Sequence, residues 1–274
     1  MGPLGWCLIV FGGVCVIVWV LSVSTREYSW VDRLWSVIPV VYAWIFAGAA
    51  GFTDARLTVV ASLITLWGIR LTFNFARKGG YRAGGEDYRW KILRGRMPGW
   101  QFQLFNAFFI TIYQNIILLF ITLPLLTMFD HRRTPFGVLD FVATVVFLGC
   151  LLGETTADQQ QWNFQQRKAA ALARGETPHP GFLRHGLFSL SRHPNFFFEQ
   201  AQWWVIFFFG CIAAGSVWQW TILGAVLLTV LFVGSTSFTE SISRSKYPEY
   251  ELYQARTSAL VPWFHKRGAA SRAA

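Results

Sequence analysis

Seven stretches near twenty residues long, the first of them PLGWCLIVFGGVCVIVWVLSV over 3–23, carry few or no charges. The others lie near 34–52, 57–76, 102–128, 136–157, 197–214 and 217–235. A helix rises about 1.5 Å per residue, so each can cross a hydrocarbon layer about 30 Å thick. In lipid, only helices and closed barrels satisfy every backbone N–H and C=O, and the period-two alternation of a barrel is absent. The expected fold is therefore all-α: a multi-pass membrane protein of about seven transmembrane helices. One helical domain is expected over 1–265, with a disordered tail over 266–274. Composition agrees, since 54% of residues are hydrophobic and only 14% charged, well below a soluble domain. The first stretch has no basic leader and no small-residue cleavage site, so it reads as a retained helix. Cys7, Cys15, Cys150 and Cys211 fall inside apolar runs with no CxxC pair or His-rich tract, so they read as apolar-facing thiols and no metal site is expected.

The net charge of +10 admits a nucleic-acid partner, but its distribution points to a membrane. If all seven stretches cross, one face receives 24–33, 77–101, 158–196 and the tail from about 236, and with them 20 of the 24 Lys and Arg. The other face has Arg56, Arg132 and Arg133, while Arg70 lies within the third stretch. By the positive-inside rule the N-terminus is expected outside and the C-terminus in the cytosol. The large inner loops, about 25 and 40 residues long, hold Gly, Trp, Tyr, His and paired charges, which suits a working site better than disorder. No internal repeat suggests a duplicated transporter.

Polar residues gather on that face. In LLGETTADQQQWNFQQRK, Glu154 and Asp158 are spaced i, i+4 and share one helix face, which Gln161 and Gln165 continue. Two acids near a helix C-terminus oppose the helix dipole, so local stability does not explain them. They form either a water-wetted helix end or a polar wall for ribose hydroxyls or an amide. In SLSRHPNFFFEQAQWW, Pro194 suits a first helical turn, with Ser191 or His193 as a cap. Asn195 and Glu199 then point the same way, and Arg192 and His193 sit beside exposed N–H groups, a combination that suits phosphate. ARKGGYRAGGEDYRW adds Arg82 and Arg89 without the Rossmann glycine pattern, and the tail adds Tyr247, Tyr250 and Arg256. Each basic cluster alone also fits a headgroup anchor. Asp32, Arg70, Asn74, Tyr113, Gln114, Asn115 and Glu240 are further polar residues in or beside apolar runs, where such residues mark a site or an interhelical hydrogen bond.

The segments GET–DQQ, GLFSLSRHPNFFFEQAQWW and KYPEYELYQARTSALVPW, together with VDRLWSVIPV and WGIRLTFNFARKGGY, resemble the steroid 5α-reductase superfamily, and within it the DUF1295 branch. The family's C-terminal motif region corresponds to about 136–263. Isoprenylcysteine methyltransferases and sterol C14 reductases share a version of the Arg-His-Pro-Asn motif. The resemblance implies a seven-helix reductase that holds NADPH on the cytosolic side and reduces an activated C=C bond of a lipid. It implies cofactor contacts from Glu154, Asp158, Asn195 and Glu199, phosphate contacts from Arg192, Arg82, Arg89 and Arg174 beside His193, and closure by Glu240 and Tyr247. The Gln-Glu pair and Tyr with which the steroid reductases polarise an enone are not matched, since LWSVIPV and LWGIRL stand there.

The reading is hydride transfer from NADPH to a polarised alkene followed by protonation, with Asp32, Tyr88 and Tyr113 as candidate donors by residue type. Tyr is a neutral donor, with a reference pKa of about 10, whereas Asp serves only while protonated. Membrane lipids and a hydrophobic small molecule are the expected partners, with no nucleic acid and no obligatory protein. The expected location is the endoplasmic reticulum or a bacterial inner membrane. The rival readings are S-adenosylmethionine-dependent methyl transfer to a lipid or prenylated thiol, and a non-enzymatic lipid-binding protein.

Overall fold

A computed structural model describes residues 1–264, and the expected disordered tail at 266–274 lies outside the described residues. Among the described residues the regular structure is helical. It begins with α1 (Pro3–Thr25), α2 (Trp30–Leu34), α3 (Ile38–Ala49), α4 (Ala55–Arg77), α5 (Tyr88–Arg96) and α6 (Gly99–Phe105). A π-helix (Asn106–Tyr113) leads into α7 (Gln114–Thr122) and α8 (Pro124–Asp130). Then follow α9 (Val138–Ala173), a 3₁₀ turn at Gly186–Ser189, α10 (Pro194–Ala214), α11 (Ile222–Lys246) and α12 (Tyr250–Arg256). Seven helical segments are long and apolar enough to cross a membrane: α1, Trp30–Ala49, α4, Gly99–Asp130, α9, α10 and α11. The expected all-α fold with seven spans is what the chain adopts.

Local chemistry sets many of the ends. α1 stops where Arg26 turns left-handed at φ 57°. Asp54 caps α4 by accepting from the Leu57 N–H at 2.7 Å, and Asp87 caps α5 through the Arg89 N–H at 2.8 Å. Pro194 opens α10 as its sequence position suggested. Two spans depart from expectation. α9 runs to Ala173, well past the expected end near 157, because neither Gly nor Pro interrupts QQQWNFQQRKAAALA before Gly175, at φ 79°. α11 starts at Ile222 and runs on to Lys246 instead of spanning 217–235, since Pro248 is its first strong breaker.

The chain divides into two compact units, one of Met1–Val145 with Trp204–Leu227, the other of Val146–Trp203 with the chain from Leu228 onward. In the first, Arg56 and Asp140 form a buried pair at 2.6 and 2.8 Å, each side chain 1% exposed. The Arg56 guanidinium also donates to the carbonyls of Thr134 and Pro135. The 24–33 and 77–101 connections are stitched to each other. Glu27 accepts from the Gly84 N–H and from Arg33, Glu86 accepts from the Tyr28 N–H, and Ser29 accepts from the Asp87 N–H. Arg33 also reaches the Gly80 carbonyl at 3.1 Å.

Candidate functional site

The second unit holds the polar wall, and a glycine helps to build it. A Cβ at Gly153 on α9 would lie 2.6 Å from the Phe198 ring on α10, so a larger residue there would push that ring away. One residue further, Glu154 Oε2 accepts from Gln202 Nε2 at 2.7 Å. One turn along α9, Asp158 Oδ1 takes a long contact of 3.5 Å from Asn195 Nδ2. Glu154, Asp158, Glu199, Gln200 and Gln202 are all buried. The two carboxylates expected to share a face of α9 therefore do so, and each meets a carboxamide of α10. Gln165, by contrast, turns outward. It is Gln160 that reaches the loop, accepting from the Leu187 N–H at 3.0 Å.

Gln202 was not singled out in the sequence, although a Gln within an apolar helix is itself a signal. Its Nε2 donates to two pure acceptors, Glu154 and the Phe198 carbonyl, so the amide cannot be turned the other way. Its Oε1 is left buried with no hydrogen-bond partner. Such an acceptor costs about 1–3 kcal/mol unless a donor reaches it.

Arg192 and His193 are committed elsewhere. Arg192 donates to both oxygens of Glu240, at 2.6 and 3.0 Å, and to the carbonyls of Gln254 and Thr257. His193 Nε2 lies 3.1 Å from Glu240 Oε1, and Gln254 donates to Glu240 Oε2 at 2.5 Å. The backbone follows suit: the Arg192 and His193 N–H groups donate to the Ser258 and Ala259 carbonyls, and Tyr253 Oη donates to the Phe188 carbonyl. Ser191 Oγ, expected as a helix cap, donates instead to the Leu260 carbonyl at 2.7 Å. Arg192 and His193, expected beside a phosphate, form a knot on Glu240 in this structure, with the Gln254 and Thr257 carbonyls taking two further N–H groups of Arg192. Glu240 is its centre.

The other residues expected at a cofactor site belong to both units. Arg174 pairs with Glu176 at 2.7 Å, with both side chains more than half exposed. In the first unit Arg89 pairs with Asp87 at 2.7 Å, and Arg82 leaves its side chain exposed while its carbonyl accepts from Arg33. Of the expected proton donors, Asp32 accepts from Trp90 Nε1 at 2.9 Å and Tyr88 is half exposed. Tyr113 ends the π-helix, its ring stacked on Phe109 with centroids 5.3 Å apart. Tyr247 receives a hydrogen bond from Lys168 Nζ at 2.6 Å.

The family model for DUF1295, described as a protein of unknown function, matches residues 18–257. The chain belongs to the DUF1295 family. The match takes in both units, including the Glu154–Gln202 wall and the Arg192–Glu240 knot. An uncharacterized protein of Schizosaccharomyces pombe is 38% identical over 264 aligned positions, which cover 90% of this chain and 76% of that relative. No solved structure matches the chain significantly.

The fit to NADPH is divided. The wall supplies fixed acceptors and amides of the kind that a nicotinamide carboxamide and ribose hydroxyls require, with Gln202 Oε1 still seeking a donor. Arg192, the expected phosphate ligand of this motif, is paired with Glu240.

Proposed function

We propose that this chain is a membrane oxidoreductase that uses NADPH to reduce an activated C=C bond of a lipid or steroid-like substrate, with its polar wall and C-terminus on the cytosolic side. The observation that carries the reading is the Glu154–Gln202 pair, which buries a carboxylate and leaves one amide oxygen aimed as an acceptor with no donor. The resemblance of the Arg192-His193-Pro194-Asn195 motif and Glu199 to the steroid 5α-reductase superfamily supports it, and the asymmetry of basic residues supports the orientation.

On this reading Glu154 fixes Gln202, and Gln202 Oε1 accepts from the carboxamide or a ribose hydroxyl. Asp158 and Asn195 offer a second acceptor and donor one turn away. Glu199 follows Asn195 on the same face of α10. The knot on Glu240 and the backbone bonds beside it tie the segment 257–260 to the start of α10. NADPH, when bound, supplies the hydride. Of the candidate proton donors, which belong to the first unit, Tyr113 has a phenol with no hydrogen-bond partner among the described residues, while the Asp32 carboxylate is bonded to Trp90.

The test follows the hydride. Purified protein is incubated with an unsaturated membrane-lipid extract and NADPH deuterated at the transferable position, and the lipids are read by mass spectrometry. One deuterium in a product two hydrogens heavier is expected, with the signal lost in Gln202→Leu. An unlabelled extract contradicts the reading. A second reading, S-adenosylmethionine-dependent methyl transfer, is favoured by one finding: Arg89, Arg174 and Arg192 are each paired with a carboxylate, which leaves fewer cations for a nucleotide's phosphates.

A further inference from the structure

We propose that Lys168, Lys246 and Tyr247 form a binding site for a phosphoryl group. Lys168, near the end of α9, donates from Nζ to the Tyr247 phenol at 2.6 Å and to the Gly181 carbonyl at 2.5 Å. Its Nζ lies 4.9 Å from the centroid of the Tyr247 ring, and Lys246 Nζ lies 5.6 Å from the same centroid. Lys246 follows Lys168 in adding positive charge beside the phenol. Among the described residues neither ammonium forms an ion pair with a carboxylate. Two positive charges thus converge on one tyrosine, one at its oxygen and one at its ring, and neither is paired with a carboxylate.

Their convergence is built in. Gly181 faces the Tyr247 ring so closely that any Cβ would overlap it, so the loop carbonyl reaches Lys168 only because residue 181 is glycine. Phe182 packs beside the same ring with centroids 5.8 Å apart. Lys168, half-buried, is held by two acceptors and keeps one of its three N–H donors, while Lys246 is exposed and leaves a way in. A carboxylate would balance one of the two charges. A dianionic phosphoryl group balances both and has oxygens for both ammonium groups and for the phenolic O–H. The phenol is consistent with this charge excess: burial alone would raise its pKa, but the Lys168 hydrogen bond and charge, aided by Lys246, bring it below the ordinary tyrosine value. The site does not depend on the hydride-transfer reading, because a nucleotide phosphate and a phospholipid headgroup offer the same chemistry.

The full chain is placed in phosphatidylcholine nanodiscs, and titration calorimetry is run with pyrophosphate and with NADPH. A parallel set of nanodiscs carries a minor fraction of phosphatidic acid, whose protection of the protein is read as a thermal shift. Lys246→Met is the principal variant because the side chain is exposed and forms no ion pair among the described residues, and its unliganded melting temperature is expected to stay close to wild type. Lys168→Met and Tyr247→Phe complete the set. Each lysine variant is expected to weaken pyrophosphate binding about tenfold, the effect of one charge-assisted hydrogen bond. Weakening confined to the phosphatidic acid arm supports the site and assigns it to lipid. Pyrophosphate binding that weakens in the variants, with no NADPH binding, supports the site while removing the reductase reading. Pyrophosphate, NADPH and phosphatidic acid effects that are all equal in wild type and both lysine variants overturn the site while leaving that reading intact. Absence of binding in every arm also overturns it.

Discussion

Glu240 accepts four hydrogen bonds, two from Arg192 and one each from His193 and Gln254. With side-chain exposures of 10% and 9%, the Arg192–Glu240 pair is close to a buried ion pair, and losing one partner leaves the other charge stranded. Glu240→Gln is expected to cost about 3 kcal/mol and to speed proteolysis between Tyr250 and Trp263. An unchanged digestion pattern would show that the knot does not hold the C-terminal segment. Glu27 makes a pH prediction. The Gly84 N–H, and after it Arg33, hold its carboxyl below the ordinary value of 4.5. A depressed folded-state pKa means that this stabilisation is complete above about pH 4.5 and disappears as pH falls through the folded value. The difference in melting temperature between wild type and Glu27→Gln should therefore shrink in acid and stay constant at neutral pH. A gap that widens in acid would contradict the assignment. At this scale the sequence was half legible. Glu154, Asp158, Asn195 and Glu240 stood out as polar groups in or beside apolar runs. Their partners Gln202 and Gln254, and the distant pairing of Arg192 with Glu240, were not visible, because a sequence shows spacing within one helix and not which helices meet.

At the level of elements, apolar length alone located seven spans, since nothing but a helix can carry such runs through lipid. The ends were less legible. α9 and α11 continue past their apolar portions because hydropathy reports the membrane, whereas helix termination reports Gly, Pro and caps. The π-helix at Asn106–Tyr113 had no sequence signal, since NAFFITIY contains neither Gly nor Pro. Arg56 was read only as a basic residue of the opposite face, yet it joins α4 to the start of α9 through Asp140. Arg56→Met is expected to cost about 3–5 kcal/mol in chemical unfolding, and the double change Arg56→Met, Asp140→Leu to recover most of that loss. A double variant as unstable as the single one would indicate that the carbonyls of Thr134 and Pro135, and not the charge pair, set the cost.

For the whole molecule, membership of the DUF1295 family and seven candidate spans fit an integral membrane protein. The charge asymmetry predicts how it is inserted. In a cysteine-free background, Arg174→Cys should react with an impermeant maleimide only from the cytosolic side and Arg133→Cys only from the other, and the reverse pattern would invert the topology. The central claim is that the wall of Glu154, Gln202, Asp158 and Asn195 receives the nicotinamide nucleotide, and ligand-linked stability tests it most directly. Detergent-purified protein is melted with NADPH, NADH or S-adenosylmethionine, each at about 100 times a plausible dissociation constant, where a binder stabilises the fold by roughly 2.7 kcal/mol. A shift with NADPH that vanishes in Gln202→Leu is the predicted result. A shift with S-adenosylmethionine alone, or an NADPH shift that survives Gln202→Leu unchanged, would contradict it.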